Sequence, residues 1–235
     1  MGYVADNVFL ITGASSGIGA ATARLAASQG DRLVLAARRL ESLEALAEEL
    51  GGPERVLAVP CDVGDPEQVT AMVERIVSRW GRLDVAYANA GQFRHSQILG
   101  EADAYAEWRD MVLTNVYGAA ITAHAVWPLL TASRGHLIFT GSVAGRVTVA
   151  GSLYSATKWA VTGLAQAIRV KAIDTGVRVS VIQPGLVDAG PSPQERRDDP
   201  KLSPEDVART VMFAVSAPPG VDINEILVRP LGQRR

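Results

Sequence analysis

Tyr154 and Lys158 stand four residues apart, with Ser142 shortly before them and Asn115 further back in the chain. On a helix, positions i and i+4 share one face, so this spacing sets a phenol beside an ammonium. A phenol titrates near pH 10, and bringing it to about 7 takes about 4 kcal/mol of preferential stabilisation of the phenolate. A neighbouring ammonium and a bound cation can supply that. Tyr154 would then act as a general acid or base, while Ser142 holds a substrate oxygen as charge develops on it. Taken alone, a Tyr-x-x-x-Lys pair is also an ordinary pairing on a helix surface.

A second cluster, Thr12-Gly13-Ala14-Ser15-Ser16-Gly17-Ile18-Gly19, lies between an apolar run and an alanine-rich helical stretch. Glycines at a strand-to-helix turn let the backbone reverse and approach a pyrophosphate, to which the helix N-terminus offers free N–H groups. Gly13, Ser15, Ser16, Gly17 and Ile18 are the candidate contacts. The spacing G-x-x-x-G-x-G departs from the common G-x-G-x-x-G, and a simple tight turn is the alternative. After the second apolar run, where an acid normally holds a ribose 2′-hydroxyl, the chain has Ala37-Arg38-Arg39. Two guanidiniums there suit a 2′-phosphate, so NADP(H) is expected rather than NAD(H). Otherwise Arg38 and Arg39 are surface charges opening a helix, at an end that disfavours cations.

Positioning these groups needs a framework, and the hydrophobic pattern supplies one. Continuous apolar runs at 8–11, 32–36, 55–59, 83–87, 135–140, 177–182 and 225–228 read as strands buried on both faces. Between them, Leu40, Leu43, Leu46, Ala47 and Leu50, and again Val69, Met72, Val73, Ile76 and Val77, recur at helical spacing. Alternating strand and helix predicts an α/β Rossmann fold: one doubly wound, seven-stranded parallel sheet with helices on both faces. A single domain then spans 1–235, and its loosest stretch, about 188–203, is either a solvated loop or a lid over the site.

Composition narrows the partners. With 235 residues, 48% apolar side chains and 25 acids against 23 Lys plus Arg, the chain is near neutral and fits one or two domains. It lacks the basic excess that grips nucleic acid or anionic membranes. The run from Met111 to Ser133 has no charge, but its Thr114, Asn115, Thr122, His124 and Pro128 make it a helix buried in protein. Without a signal peptide or a myristoylation site, a cytoplasmic protein is expected. The lone Cys61 reads as a small buried residue, and the three scattered His offer no metal-ligand spacing.

The order of these motifs resembles the short-chain dehydrogenase/reductase family over nearly the whole chain. Thr12 to Gly19 matches its TGxxxGxG, Asp62-Val63 its adenine-contacting turn, Asn89-Ala90-Gly91 its NAG segment, and Asn115, Ser142, Tyr154 and Lys158 its catalytic tetrad. Pro184-Gly185 follows the sixth strand, with Val187 among the cofactor contacts. The resemblance implies hydride transfer between nicotinamide and a carbonyl or alcohol substrate, with Tyr154 moving the hydroxyl proton. Lys158 would bind the nicotinamide ribose and lower the Tyr154 pKa, and Asn115 would hold a relay water. Asp62 has a rival reading as the cap of the helix at Pro66.

Two positions depart from the family pattern. Ala88 replaces the first Asn of its Asn-Asn-Ala-Gly, and Asp188-Ala189-Gly190 stands where a Thr usually bonds the nicotinamide carboxamide. Pocket candidates by position are Gln92, Phe93, Arg94, His95, Val143, Arg146, Leu153, Leu186 and Val187. Arg94, His95 and Arg146 would suit a carboxylate, which keeps a 3-hydroxy acid dehydrogenase open as an alternative. A regulator that binds NADP(H) without turnover is another. The tail from Val221 to Pro230 resembles those of members that reduce aldehydes or act on 3-hydroxy acids. Trp127, Leu130, Trp159, Val161, Leu164 and Ala165 make two helices apolar on more than one face, and the resemblance implies a homodimer or homotetramer.

Overall fold

The computed structural model describes residues 6–94, 98–99, 104–190, 198–218 and 220–233. All seven apolar runs are strands: β1 (Val8–Thr12), β2 (Arg32–Ala37), β3 (Val56–Pro60), β4 (Val85–Ala88), β5 (His136–Thr140), β6 (Arg178–Pro184) and β7 (Glu225–Val228). They pair in parallel in the order β3-β2-β1-β4-β5-β6-β7, a single doubly wound sheet. The strand order reverses between β1 and β4, and sheets of this kind open a crevice beyond the carboxyl ends of the strands at that point.

Helices α1 (Gly17–Ser28), α2 (Leu40–Glu49) and α7 (Pro204–Val215) cover one face; α3 (Pro66–Trp80), α5 (Gly118–Ser133) and α6 (Leu153–Ala172) cover the other. Side chains of β1 alternate between the two cores. Val8 and Leu10 join Met72, Ile76 and Leu130, whereas Phe9 and Ile11 join Ala23, Leu43 and Val211. Covering on both sides explains why the strand sequences are continuously apolar. Edge strand β7 is the exception, with residues alternating between exposed and half-buried.

Three local expectations change. The uncharged run 111–133 is not one helix: α4 (Tyr105–Val112) gives way to a π-helical turn, Leu113–Tyr117, before α5 begins. No helix among the described residues is long and apolar enough to cross a membrane. The cap of α3 is Asp65, whose carboxylate accepts from the Glu67 and Gln68 N–H groups, so Asp62 is not the cap. Asp62 instead accepts from the Gly64 N–H at 2.9 Å. Of the six apolar residues read as facing more than one way, Leu130, Val161 and Ala165 are buried, and Trp127 and Leu164 pack against the core. Only Trp159 is exposed, by 45%.

The loop at 188–203 is tied at its base: the Asp188 N–H donates to the Leu202 carbonyl, and the Leu202 N–H to the Leu186 carbonyl, both at 2.8 Å. Glu195, Arg196 and Arg197 lie outside the described residues. A Ser203–Asp206 capping box then starts α7. Because Leu10 is fully buried at the centre of the sheet, Leu10→Ala should destabilise the fold by roughly 2–5 kcal/mol, measured as a lower midpoint of chemical denaturation.

Candidate active site

At the carboxyl ends of the strands lies a cleft of about 1800 Å³. One end is the turn after β1. Gly13 has φ +66, and a Cβ on Gly19 would come within 2.3 Å of the Gly13 carbonyl oxygen, so neither position admits a side chain without rearrangement. Ser16 at the start of α1 makes no side-chain cap bond, and the first turn of the helix carries no acid. The first-turn N–H groups are thus left to an external anion, a cradle that fits a dinucleotide pyrophosphate. Ser15, Ile18, Asp62, Val63 and Ala90 border the same cleft.

Arg38 and Arg39, at the end of β2, are exposed on the cleft, and no hydrogen bond or ion pair joins either to a described residue. Arg39 opens α2 as its cap residue without a side-chain cap bond. Two unpaired cations at a helix N-terminus are electrostatically unfavourable until an anion joins them, which fits a phosphate group.

Asn89 ties the turn to the sheet. Its N–H and that of Ala90 donate to the Thr12 hydroxyl, each at 3.0 Å, and its Nδ2 donates to the Thr12 carbonyl at 3.0 Å. Its Oδ1 faces the Thr140 hydroxyl at 3.0 Å, and that hydroxyl also lies 2.8 Å from the Tyr87 Oη. One hydroxyl proton cannot serve both. Burial pushes the Tyr87 phenol up, although its Thr140 bond opposes this, so Tyr87 stays an O–H donor. Thr140 therefore accepts from Tyr87 and donates to Asn89. Tyr87 and Thr140 were not among the residues picked out from the sequence; a buried polar tyrosine inside an apolar strand was the available signal.

Ser142, Tyr154 and Lys158 meet at the other end of the cleft. Ser142 caps a one-turn 3₁₀ helix, Val143–Gly145, by accepting from the Ala144 N–H at 3.1 Å, and its hydroxyl favours the charged form of the Tyr154 phenol. Lys158 is only 4% exposed, and its Nζ donates to the Thr140 carbonyl at 2.8 Å. That Nζ lies 5.7 Å from the centre of the Tyr154 ring. Burial lowers the Lys158 ammonium to about 8. It also raises the Tyr154 phenol, against the pull of Ser142. In the protein alone burial dominates at Tyr154, and the Lys158 ammonium is turned to the Thr140 carbonyl.

Asn115 lies in the π-helical turn and is 2% exposed. Its Oδ1 accepts from the Gln92 N–H at 2.7 Å, and its Nδ2 donates to the Gln92 carbonyl at 2.9 Å and to Thr157 at 3.1 Å. The side chain therefore splices the segment after Gly91 to α6. Pro184, Gly185 and Val187 reach the cleft from the end of β6.

Among the pocket candidates, Gln92, Phe93, Arg94, Val143 and Leu186 face the cleft. Phe93 meets Tyr154 edge to face, with centroids 5.0 Å apart. Arg146 and Leu153 are not among the walls, which corrects their placement. Arg146 pairs with Glu225 of β7, and Leu153 opens α6. His95 lies outside the described residues. Sequence reasoning also missed Gly232 and Gln233, which come back from the C-terminus to line the cleft.

Residues 7–200 match the family model described as short chain dehydrogenase. An uncharacterized oxidoreductase of Staphylococcus aureus (strain USA300) is 39% identical over 238 residues, covering 98% of this chain and all of that one. The alcohol dehydrogenase of the archaeon Thermococcus sibiricus, solved with 5-hydroxy-NADP, superposes with a TM-score of 0.87 at 30% identity, covering 97% of this chain and 98% of that one. Serine dehydrogenase from Escherichia coli superposes at 0.86 with 31% identity, covering 97% of this chain and all of that one.

The buried ammonium makes a pH-dependent prediction. Between about 8 and the ordinary 10.5, the unfolded chain still holds a proton that folded Lys158 has released, so stability rises with pH in that window. Below it the cost of burying the charge is fully present. Denaturation midpoints should therefore move in favour of the wild type over Lys158→Met as pH rises through this range; a constant difference would contradict it.

Proposed function

This chain belongs to the short-chain dehydrogenase family and is an oxidoreductase, and from that premise we propose that it is specific for NADP(H) and interconverts carbonyl compounds and alcohols. The observation that carries the reading is a single cleft joining an uncapped helix N-terminus, two unpaired arginines and the Ser142–Tyr154–Lys158 cluster. The T. sibiricus relative, solved with an NADP analogue, supports the cofactor choice. Gly13, Ser15, Ser16, Gly17 and Ile18 would hold the pyrophosphate, Arg38 and Arg39 the 2′-phosphate, and Asp62 and Val63 the adenine. Asn89, Ala90, Gly91, Pro184, Gly185 and Val187 would border the nicotinamide half.

When bound, the dihydronicotinamide supplies a hydride to the carbonyl carbon. Tyr154 gives its phenolic proton to the carbonyl oxygen, so the carbon is reduced and an alcohol leaves. Ser142 holds that oxygen while charge grows on it. Lys158 binds the ribose and, as an ammonium, favours the phenolate that Tyr154 becomes. Its low-lying proton also lets it help to restore the phenol. Asn115 fixes the Gln92 backbone beside Lys158 and supports a relay water there. The loop at 188–203 borders the substrate, and the chain assembles as a homodimer or homotetramer in the cytoplasm, with exposed Trp159 of α6 in an interface.

The substrate end favours uncharged carbonyl compounds. Phe93, Val143, Val147, Val149 and Leu186 give it apolar walls, and Arg146 has its charge taken by Glu225. A 3-hydroxy acid is the second reading, supported by the likeness to E. coli serine dehydrogenase and by Arg94 at the exposed rim.

In an NADPH-oxidation assay, apolar ketones and aldehydes should turn over faster than 3-oxo acids, and Tyr154→Phe should lose about 10²–10⁴-fold in kcat. Equal rates in mutant and wild type would exclude the mechanism; binding without any turnover would favour the regulator. Arg38→Ala and Arg39→Ala should each raise the KM for NADPH about 10- to 100-fold, the worth of a charged hydrogen bond. The KM for NADH should stay unchanged, and a wild type that prefers NADH would overturn the NADP(H) assignment.

A further inference from the structure

The C-terminal tail returns to the cleft in a way that the reaction just described does not use. Beyond β6, the Gly185 N–H still donates to the Val228 carbonyl of β7 at 2.7 Å. The chain then passes Pro230, turns through Gly232 at φ +88, and closes with the Gln233 N–H on the Pro230 carbonyl at 3.1 Å. This turn aims the Gln233 side chain back at the end of β6. Its Oε1 accepts from the Leu186 N–H at 2.9 Å.

A Cβ on Gly185 would come within 2.1 Å of the Gln233 Oε1 and 3.1 Å of the Pro230 Cδ, so the tail lies directly against this glycine and a side chain there would push the Gln233 amide aside. The Leu186 carbonyl meanwhile accepts from the Leu202 N–H at 2.8 Å. Both backbone polar groups of Leu186 are thus held by remote parts of the chain, the N–H by the tail and the carbonyl by the far end of the 188–203 loop. Each bond orients one of the two peptide planes that flank the Leu186 Cα, planes that a loop would otherwise leave free to rotate.

That orientation matters because Ala189 and Gly190, which border the cleft just beyond, bring no polar side chain to it. The stretch Asp188-Ala189-Gly190 carries no hydroxyl, and Ala189 packs toward the phosphate turn, 3.1 Å from where a Gly17 Cβ would lie. The backbone at 185–187 is left to meet the carboxamide of a nicotinamide ring, and backbone groups bind well only when preorganised.

We propose that Gln233 is a positioning residue for the nicotinamide half of the cofactor: by gripping the Leu186 N–H it holds the 185–187 backbone in the orientation that receives the carboxamide. This rests on the reading of the cleft as a nicotinamide-dinucleotide site. Calorimetric titration should compare NADPH with adenosine 2′,5′-bisphosphate, which carries the adenine, ribose and 2′-phosphate but no nicotinamide. Gln233→Ala should weaken NADPH about 3- to 10-fold, the worth of one ordinary hydrogen bond, and leave the bisphosphate within 2-fold, roughly the noise of such a bond's context. Gln233→Glu, which keeps an oxygen at the same reach, should recover most of the loss. In the cofactor-free chain, hydrogen exchange at the Leu186 amide should speed up in Gln233→Ala alone.

Equal weakening of both ligands would mean a general loss of structure and overturn the proposal, as would unchanged exchange at Leu186. If the wild type prefers NADH, the NADP(H) reading falls by itself, and the same comparison of NADH with ADP still decides the role of Gln233. A wild type that binds neither dinucleotide overturns both.

Discussion

The bond from the Lys158 ammonium to the Thr140 carbonyl is the contact on which the site depends. An ammonium that is almost wholly buried is costly unless its donors are satisfied. Here the 2.8 Å bond to the end of β5 meets part of that demand, and the lowered proton affinity records what remains unmet. Because α6 carries both Lys158 and Tyr154, fixing one to the sheet also fixes the other. The geometry around the phenol is therefore tied to strand β5 as well as to the loop that precedes α6, where the Ser155 hydroxyl donates to the Ala144 carbonyl at 2.6 Å.

Thr140 is shared by two networks. Its carbonyl anchors Lys158, and its hydroxyl relays from Tyr87 to Asn89, which in turn grips Thr12 and the phosphate turn. Three adjacent strands, β1, β4 and β5, thus connect the two ends of the cleft through short bonds in a low-dielectric interior, where such bonds are strengthened. The family's usual Asn at position 88 is absent, and buried Ala88 offers only a methyl. The Tyr87 hydroxyl supplies polar support from the neighbouring position on the same strand.

Much of this was legible in the sequence because its causes are local or periodic. Strands covered on both faces must be apolar throughout, so β1 to β6 announce themselves, and glycines crowded after β1 have few other uses. Helical spacing sets Tyr154 beside Lys158, and the likeness of the whole motif order to the family marks the pair as a site. What stayed hidden depends on contacts between distant residues. The π-helical turn around Asn115 has no compositional mark distinguishing it from a helix. Asp65, directly before Pro66, caps α3 where the sequence reading offers Asp62, three residues too early. Gln233 looks like a disposable tail residue until the turn at Gly232 returns it to Leu186.

Glu225 shows how such distant contacts set the chemistry of the cleft. By sequence it is an edge-strand acid, with no stated link to the pocket. In the fold it accepts from Arg146, Gln166 and Gln183 together. An arginine placed by order in the chain beside the reacting atoms is thereby drawn away from them, and its charge is neutralised behind the wall. The substrate end loses a cation that the bare sequence seemed to give it, whereas Arg38 and Arg39 at the opposite end keep theirs unpaired. The same residue type takes opposite parts at the two ends, decided by whether a carboxylate lies within reach. Charge in this cleft is therefore a property of the partners that the fold brings together.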